Sequence, residues 1–156
     1  MKISSILFLT VLSAFVLWGC EPKPQPIQYG NEECAYCRMI ITDAEFASQI
    51  VNNQGRSYKF DSVECMAAFE LTSGNKNNIH SKWVPDFQNN NEWINAESAV
   101  FLHSETLRSP MGLYLSAYSS PADAEAMRSE YGGEIMSYRE VLLLVEQEWS
   151  GNLSRL

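Results

Sequence analysis

The sequence predicts an α+β fold of two similar strand–strand–helix–strand units with a C-terminal helix. Three observations carry this prediction. Short apolar segments come in pairs ahead of the helical stretches. The helical stretches open on serine caps. The order strand, aromatic residue, serine cap, helix occurs twice, over 58–69 and again over 114–127, with Tyr118, Ser119 and Ser120 standing where Phe60, Asp61 and Ser62 stand in the first copy. Identity between the copies is low, so the echo is one of pattern.

The elements follow in order. Residues 46–51 read as a strand, 52–55 as an asparagine- and glycine-rich turn, and 56–60 as its hairpin partner. Asp61 and Ser62 cap a helix in which Val63, Met66, Ala67, Phe69 and Leu71 keep helical spacing, and the polar run 73–78 stops it. The middle, 79–96, reads as a short strand, a polar loop around 88–91 and a return. Strands are expected over 98–103 and 113–118. Ser119 and Ser120 then precede Pro121, which suits a first helical turn, and Asp123 and Glu125 favour the positive helix end. Gly132 and Gly133 end that helix, 134–138 is a short strand, and Ser137 caps a last helix reaching Trp149.

The N-terminus has its own logic. Lys2 precedes an apolar run over 3–18 that only Ser4, Ser5, Thr10 and Ser13 interrupt, the pattern of a secretory signal. A permanent span wants about 20 apolar residues. The run ends Leu17-Trp18-Gly19-Cys20, which resembles a bacterial lipobox; the plain alternative is an ordinary signal with a cysteine by chance. Residues 1–19 are then the signal peptide and Cys20 the lipid attachment point, where several acyl chains give stable anchoring. Residues 20–30, with Pro22, Pro24 and Pro26, read as an extended stalk, and 31–156 as the folded domain. The expected location is the bacterial cell envelope, lipid-anchored to a membrane, with the domain outside the cytoplasm. The chain carries 19 acidic against 11 basic residues, a formal charge of −8. This excludes nucleic acid as a partner and a polybasic membrane surface.

Chemistry concentrates in Cys34-Ala35-Tyr36-Cys37-Arg38-Met39. Two thiols and a thioether offer three soft donors, which suit Cu(I) better than hard ions. If the chain is extended from Cys37 on, Cys37 and Met39 share a face. Three other readings stay open: a Cys34–Cys37 disulfide or redox pair, a zinc site adding Cys65 and a histidine, and Met39 as an ordinary core methionine. Cys65 on the first helix reads first as a buried thiol and second as a further donor. Met111, between Pro110 and Gly112 at a turn, is another thioether candidate; His103 is a second-choice ligand and His80 the other histidine. No serine–histidine–acid pattern or phosphate-cradling glycine loop points to an enzyme.

Several of these pieces together resemble one family. The lipobox at 17–20, Cys34-x-x-Cys37-x-Met39, Phe60-Asp61-Ser62-Val63-Glu64-Cys65-Met66, the stretch 93–99, Ser109-Pro110-Met111-Gly112, and Ala117-Tyr118 before a helix ending Gly132-Gly133 are similar, in order, to NosL, the copper-binding lipoproteins accessory to nitrous-oxide reductase. The resemblance implies two strand–strand–helix–strand units. It implies Cu(I) bound by thiolate and thioether, with Cys37 and Met39 as first ligands, then Met111, and Cys34 matching the pattern. It implies partners in the maturation machinery of nitrous-oxide reductase or the reductase itself. The alternative function is a membrane-anchored thiol–disulfide protein using Cys34 and Cys37.

Overall fold

A computed structural model describes residues 22–74 and 78–153 of the chain. The signal sequence and Cys20 lie outside the described residues. The elements are β1 (Ser48–Asn52), β2 (Ser57–Phe60), α1 (Val63–Thr72), β3 (Ile79–Asp86), β4 (Asn89–Asn95), β5 (Val100–His103), β6 (Leu115–Tyr118), α2 (Pro121–Tyr131), β7 (Glu134–Met136), α3 (Tyr138–Glu148) and α4 (Ser150–Leu153). The fold is α+β.

The two units share one topology. β1 lies between β2 and β3, and β5 lies between β6 and β7, with every pairing antiparallel. In each unit the first strand is central, the second is its hairpin partner, and the strand after the helix closes the far side. The echo in the sequence is therefore a repeat in space. The first sheet adds β4 beside β3. The polar loop expected around 88–91 is in fact mostly strand, because an edge strand draws its ladder from the backbone and tolerates polar side chains. Pro85 sits in β3 beside a register shift, where a residue without an N–H is accommodated.

Serine caps all three long helices. Ser62, Ser120 and Ser137 accept from the backbone N–H of Cys65, Asp123 and Glu140, and Ser137 with Glu140 completes a capping box. Gly133 is required by close approach: its φ is +104° and a Cβ there would meet the His103 carbonyl oxygen at 2.2 Å.

The first half of α1 is buried throughout, from Val63 to Ala68. It packs against β1 and β2 of its own sheet, β6 of the second unit, and α3, as expected for a helical segment whose residues other than Glu64 are apolar. A hydrogen bond from Phe87 N to the Ala117 carbonyl at 2.8 Å joins the two sheets. Lys82 holds α3 in place. Its ammonium pairs with Glu70 at 2.9 Å and Glu97 at 3.1 Å and lies 4.7 Å above the Tyr138 ring, whose hydroxyl donates to Glu70 at 2.8 Å.

The folded body starts earlier than residue 31. Gln25 N donates to Gln49 Oε1 at 2.9 Å, and Gln49 Nε2 donates back to the Gln25 carbonyl at 2.8 Å. Lys59 Nζ donates to the Pro26 carbonyl at 2.6 Å, and Ile27 enters the core. Proline spacing suggested a free stalk up to residue 30; the buried amide of Gln49 captures its last part instead.

Candidate metal centre

The site is built on a tight turn. Glu33 and Ile40 form an isolated antiparallel bridge, Cys34 N donates to the Met39 carbonyl at 2.7 Å, and Arg38 N donates to the Cys34 carbonyl at 3.1 Å. Arg38 has a φ of +69°, a left-handed conformation unusual for a residue with a Cβ. The extended run expected from Cys37 onward therefore breaks at Arg38. The argument that Cys37 and Met39 share a face by strand alternation does not hold, because alternation needs unbroken extended backbone.

Ala35 N donates to the Lys59 carbonyl at 2.8 Å, strapping the turn to β2. Just beyond Lys59 the chain runs through Phe60, Asp61 and Ser62 into α1. This brings together Cys34 and Cys37 from the turn, Asp61 from the strand–helix link and Cys65 from the first turn of α1. One sulfur or carboxylate oxygen from each lies within 4.8 Å of all the others. All three cysteines are free thiols. Cys34 and Cys65 are fully buried, Asp61 is 3% exposed, and Cys37 is half-buried. Cys37 Sγ donates to Asp61 Oδ2 at 3.3 Å, and the buried Oδ1 of Asp61 has no hydrogen-bond partner.

The thiols differ electrostatically. The neighbouring Cys65 thiol, as a donor toward the Cys34 sulfur, and the backbone N–H groups of Asp61, Cys37 and Tyr36 lower Cys34 to about 6 against the pull of burial. Burial first, then the charges of Cys34 and Asp61, push Cys37 up to about 12. Cys65 is pushed up as well, first by its role as donor to Cys34 and then by burial. Three sulfurs and a carboxylate oxygen facing one another in a buried space are a donor set for a cation, and sulfur selects a soft one.

The surroundings close over the turn. Tyr36 stacks on Trp149 at the end of α3, with ring centroids 6.2 Å apart and planes 11° from parallel. Met39 is 53% exposed. Met111 lies on the β5–β6 loop, half-buried against the main core. That loop is fastened to α1 through Ser109 and Glu64, the residue before Cys65.

Of the candidates read from sequence, the structure gathers Cys34 and Cys37, and it adds Cys65. Met39 stands at the surface beside this cluster in sequence, and Met111 is on the β5–β6 loop, packed against the main core. His103 lines a separate cleft with Tyr131 and Glu134, and His80 is exposed with its ring against Ser81. The fourth donor of the cluster is a carboxylate, where the zinc reading wanted a histidine. Sequence reasoning missed Asp61, which it took as a helix cap. Ser62 alone does the capping, and a spare aspartate beside a capping serine was the available signal.

Comparisons with known proteins place the chain in a family. The NosL family model matches residues 26–143. The chain is 28% identical over 162 aligned residues to the copper-binding lipoprotein NosL of Stutzerimonas stutzeri, spanning 94% of this chain and 85% of that protein. The crystal structure of the copper chaperone NosL from Shewanella denitrificans superposes with a TM-score of 0.66 at 25% identity, over 76% of this chain and 95% of that one. The family model covers the cysteine turn, both repeated units and the Met111 loop, and the chain belongs to the NosL family.

Proposed function

We propose that this chain is a Cu(I) carrier, held at a membrane of the bacterial cell envelope by lipid on Cys20, that delivers copper for assembly of the metal centres of nitrous-oxide reductase. The observation that carries the reading is the cluster of free thiols, with the half-buried Cys37 at its edge and the exposed Met39 two residues on. The names of the relatives, a copper-binding lipoprotein and a copper chaperone, support both metal and tether. The acceptor follows from the family resemblance.

In this reading Cys37, Met39 and Met111 hold the ion where it can be exchanged, and Cys34 supplies or supports a thiolate. Cu(I) is soft and accepts few ligands, so a partner's sulfur can join before one of these leaves. Met39 has the exposure an exchanging ligand needs, and its side chain has no core to fill. The chemistry is ligand substitution: one Cu–S bond forms as another breaks, and the copper stays Cu(I).

The test is Cu(I) titration of the reduced mature chain under anaerobic conditions against a competing chelator. About one Cu(I) per chain is expected. Replacing Met39 and Met111 together by leucine preserves volume and should slow transfer of the bound Cu(I) to the chelator at least about 10-fold. Unchanged transfer removes the thioethers from the site. A thiol–disulfide function has one observation in its favour, that Cys34 and Cys37 are free thiols with their sulfurs within 4.8 Å of each other. It requires a reversible two-electron couple that survives both methionine changes.

A further inference from the structure

We infer that Cys65 and Asp61, together with Cys34 and Cys37, form an inner station for the same soft ion, behind the exchangeable thioether position. The inference rests on the copper reading above and deepens it. Nothing in the sequence separates these positions; the fold does.

The geometry is close to what a metal requires. Metal–thiolate bonds of about 2.3 Å set three sulfurs around one ion about 4 Å apart. The donor atoms here are already within 4.8 Å of one another, so each pair has to close by less than about 1 Å.

Stability alone does not account for the cluster. A buried thiol is an ordinary small apolar residue, and one would pass without comment. Here two fully buried thiols and a third at the rim meet a carboxylate that is 3% exposed, with its Oδ1 unpartnered. A buried polar atom left without a partner is unfavourable, and an apolar residue at position 61 would avoid it. A cation among the sulfurs gives that oxygen an electrostatic partner.

Depth then divides the labour. Cys34 and Cys65 are closed to solvent, whereas Cys37 is half-buried. An ion bound by Cys34, Cys37 and Cys65 is screened from water and from small thiols, and leaves through Cys37 toward Met39. Copper enters and leaves as Cu(I). Cu–S bonds to Cys34, Cys37 and Cys65 replace those to the departing donor ligands, and the thiol protons of these cysteines are released to solvent as the bonds form.

The experiment uses the reduced mature chain loaded with one Cu(I), measured by X-ray absorption and chelator competition. The wild type should show three short copper–sulfur bonds. Cys65→Ser, which preserves volume, should remove one of them and weaken binding at least about 10-fold. Asp61→Asn should keep the sulfur count and weaken binding by a smaller factor. The wild-type spectrum needs no variant to fold, so a shell of only one short sulfur with longer thioether bonds overturns the inner station by itself. So does unchanged affinity and sulfur count in a folded Cys65→Ser. A wild type that binds no Cu(I) sinks the carrier reading, whereas Cu(I) bound without help from Cys65 and Asp61 sinks only the inner station.

Discussion

Glu64 is fully buried, and one of its carboxylate oxygens accepts a hydrogen bond from the hydroxyl of Ser109 across the junction of the two units. The same hydroxyl accepts from Tyr114 N at 2.9 Å, and Tyr114 itself has a φ of +55°. The loop carrying Met111 is thus pinned at Ser109 to the helix carrying Cys65. The other carboxylate oxygen, Oε2, has no hydrogen-bond partner. Ser109→Ala removes the pin and leaves the carboxylate without its donor. It should destabilise the domain by about 1–3 kcal/mol, read from urea denaturation.

Glu64 also makes stability fall with pH. Burial raises its pKa above the ordinary carboxylate value, with Ser109 opposing. A raised pKa means the folded state binds the proton more tightly than the unfolded one. The associated stability is full below the unfolded value of about 4.3 and is lost as pH rises through the folded value. Glu64→Gln keeps an acceptor for Ser109 and cannot ionise. The wild type should therefore weaken relative to this variant as the pH climbs above about 4.3. Parallel urea midpoints for the two proteins across that range would rule the idea out.

Cys34 gives the opposite sign. Its pKa is lowered to about 6, with the Cys65 hydrogen bond as the largest cause. The stability tied to this thiolate is full above the unfolded thiol value of about 8.5 and is lost as pH falls through about 6. In the reduced, metal-free protein, ultraviolet thiolate absorbance should report one group titrating at about 6. Cys65→Ala should move that titration to higher pH. A first thiolate appearing only near the free-cysteine value would contradict the hydrogen-bonded pair.

Met39 and Met111 should part company in stability even if both bind copper. Met39 is 53% exposed, and Met39→Leu should change unfolding free energy by no more than about 0.5 kcal/mol. Met111 packs against the main core, so Met111→Ala should cost about 2 kcal/mol in the metal-free protein. Thermal melts of both variants before and after Cu(I) addition separate packing from ligation.

Lys82 joins three elements at once. Its side chain is 10% exposed and pairs with Glu70, 13% exposed, while Tyr138 donates to the same carboxylate. Lys82→Met leaves the Glu70 charge with the tyrosine hydroxyl alone, and the expected loss is about 3 kcal/mol. Tyr138→Phe should lose about 1 kcal/mol. Because α3 ends at the Trp149 that stacks on Tyr36, both variants should also speed amide exchange in the cysteine turn. Protection unchanged there would show that α3 does not hold the turn.

What the sequence by itself determined was local. Serine caps, Pro121 and the glycines ending α2 act within a few residues of themselves, so the helices could be placed from sequence spacing. The repeat was legible because each unit carries its own strand, cap and helix pattern. Its common topology, with β1 and β5 central, completes what the echo suggested. The Asn-rich strand β4 was misread because an edge strand is held by backbone bonds that leave no mark on side-chain pattern. Cys34 and Cys37 announced themselves by spacing. Only the tertiary structure decided that the chain turns back at Arg38, that Gln25 belongs to the folded body, and that Asp61 and Cys65 meet the cysteine turn. Those outcomes depend on bonds between residues far apart in sequence, such as Ala35 with Lys59 and Gln25 with Gln49, and such bonds form only once the sheet and helix are packed.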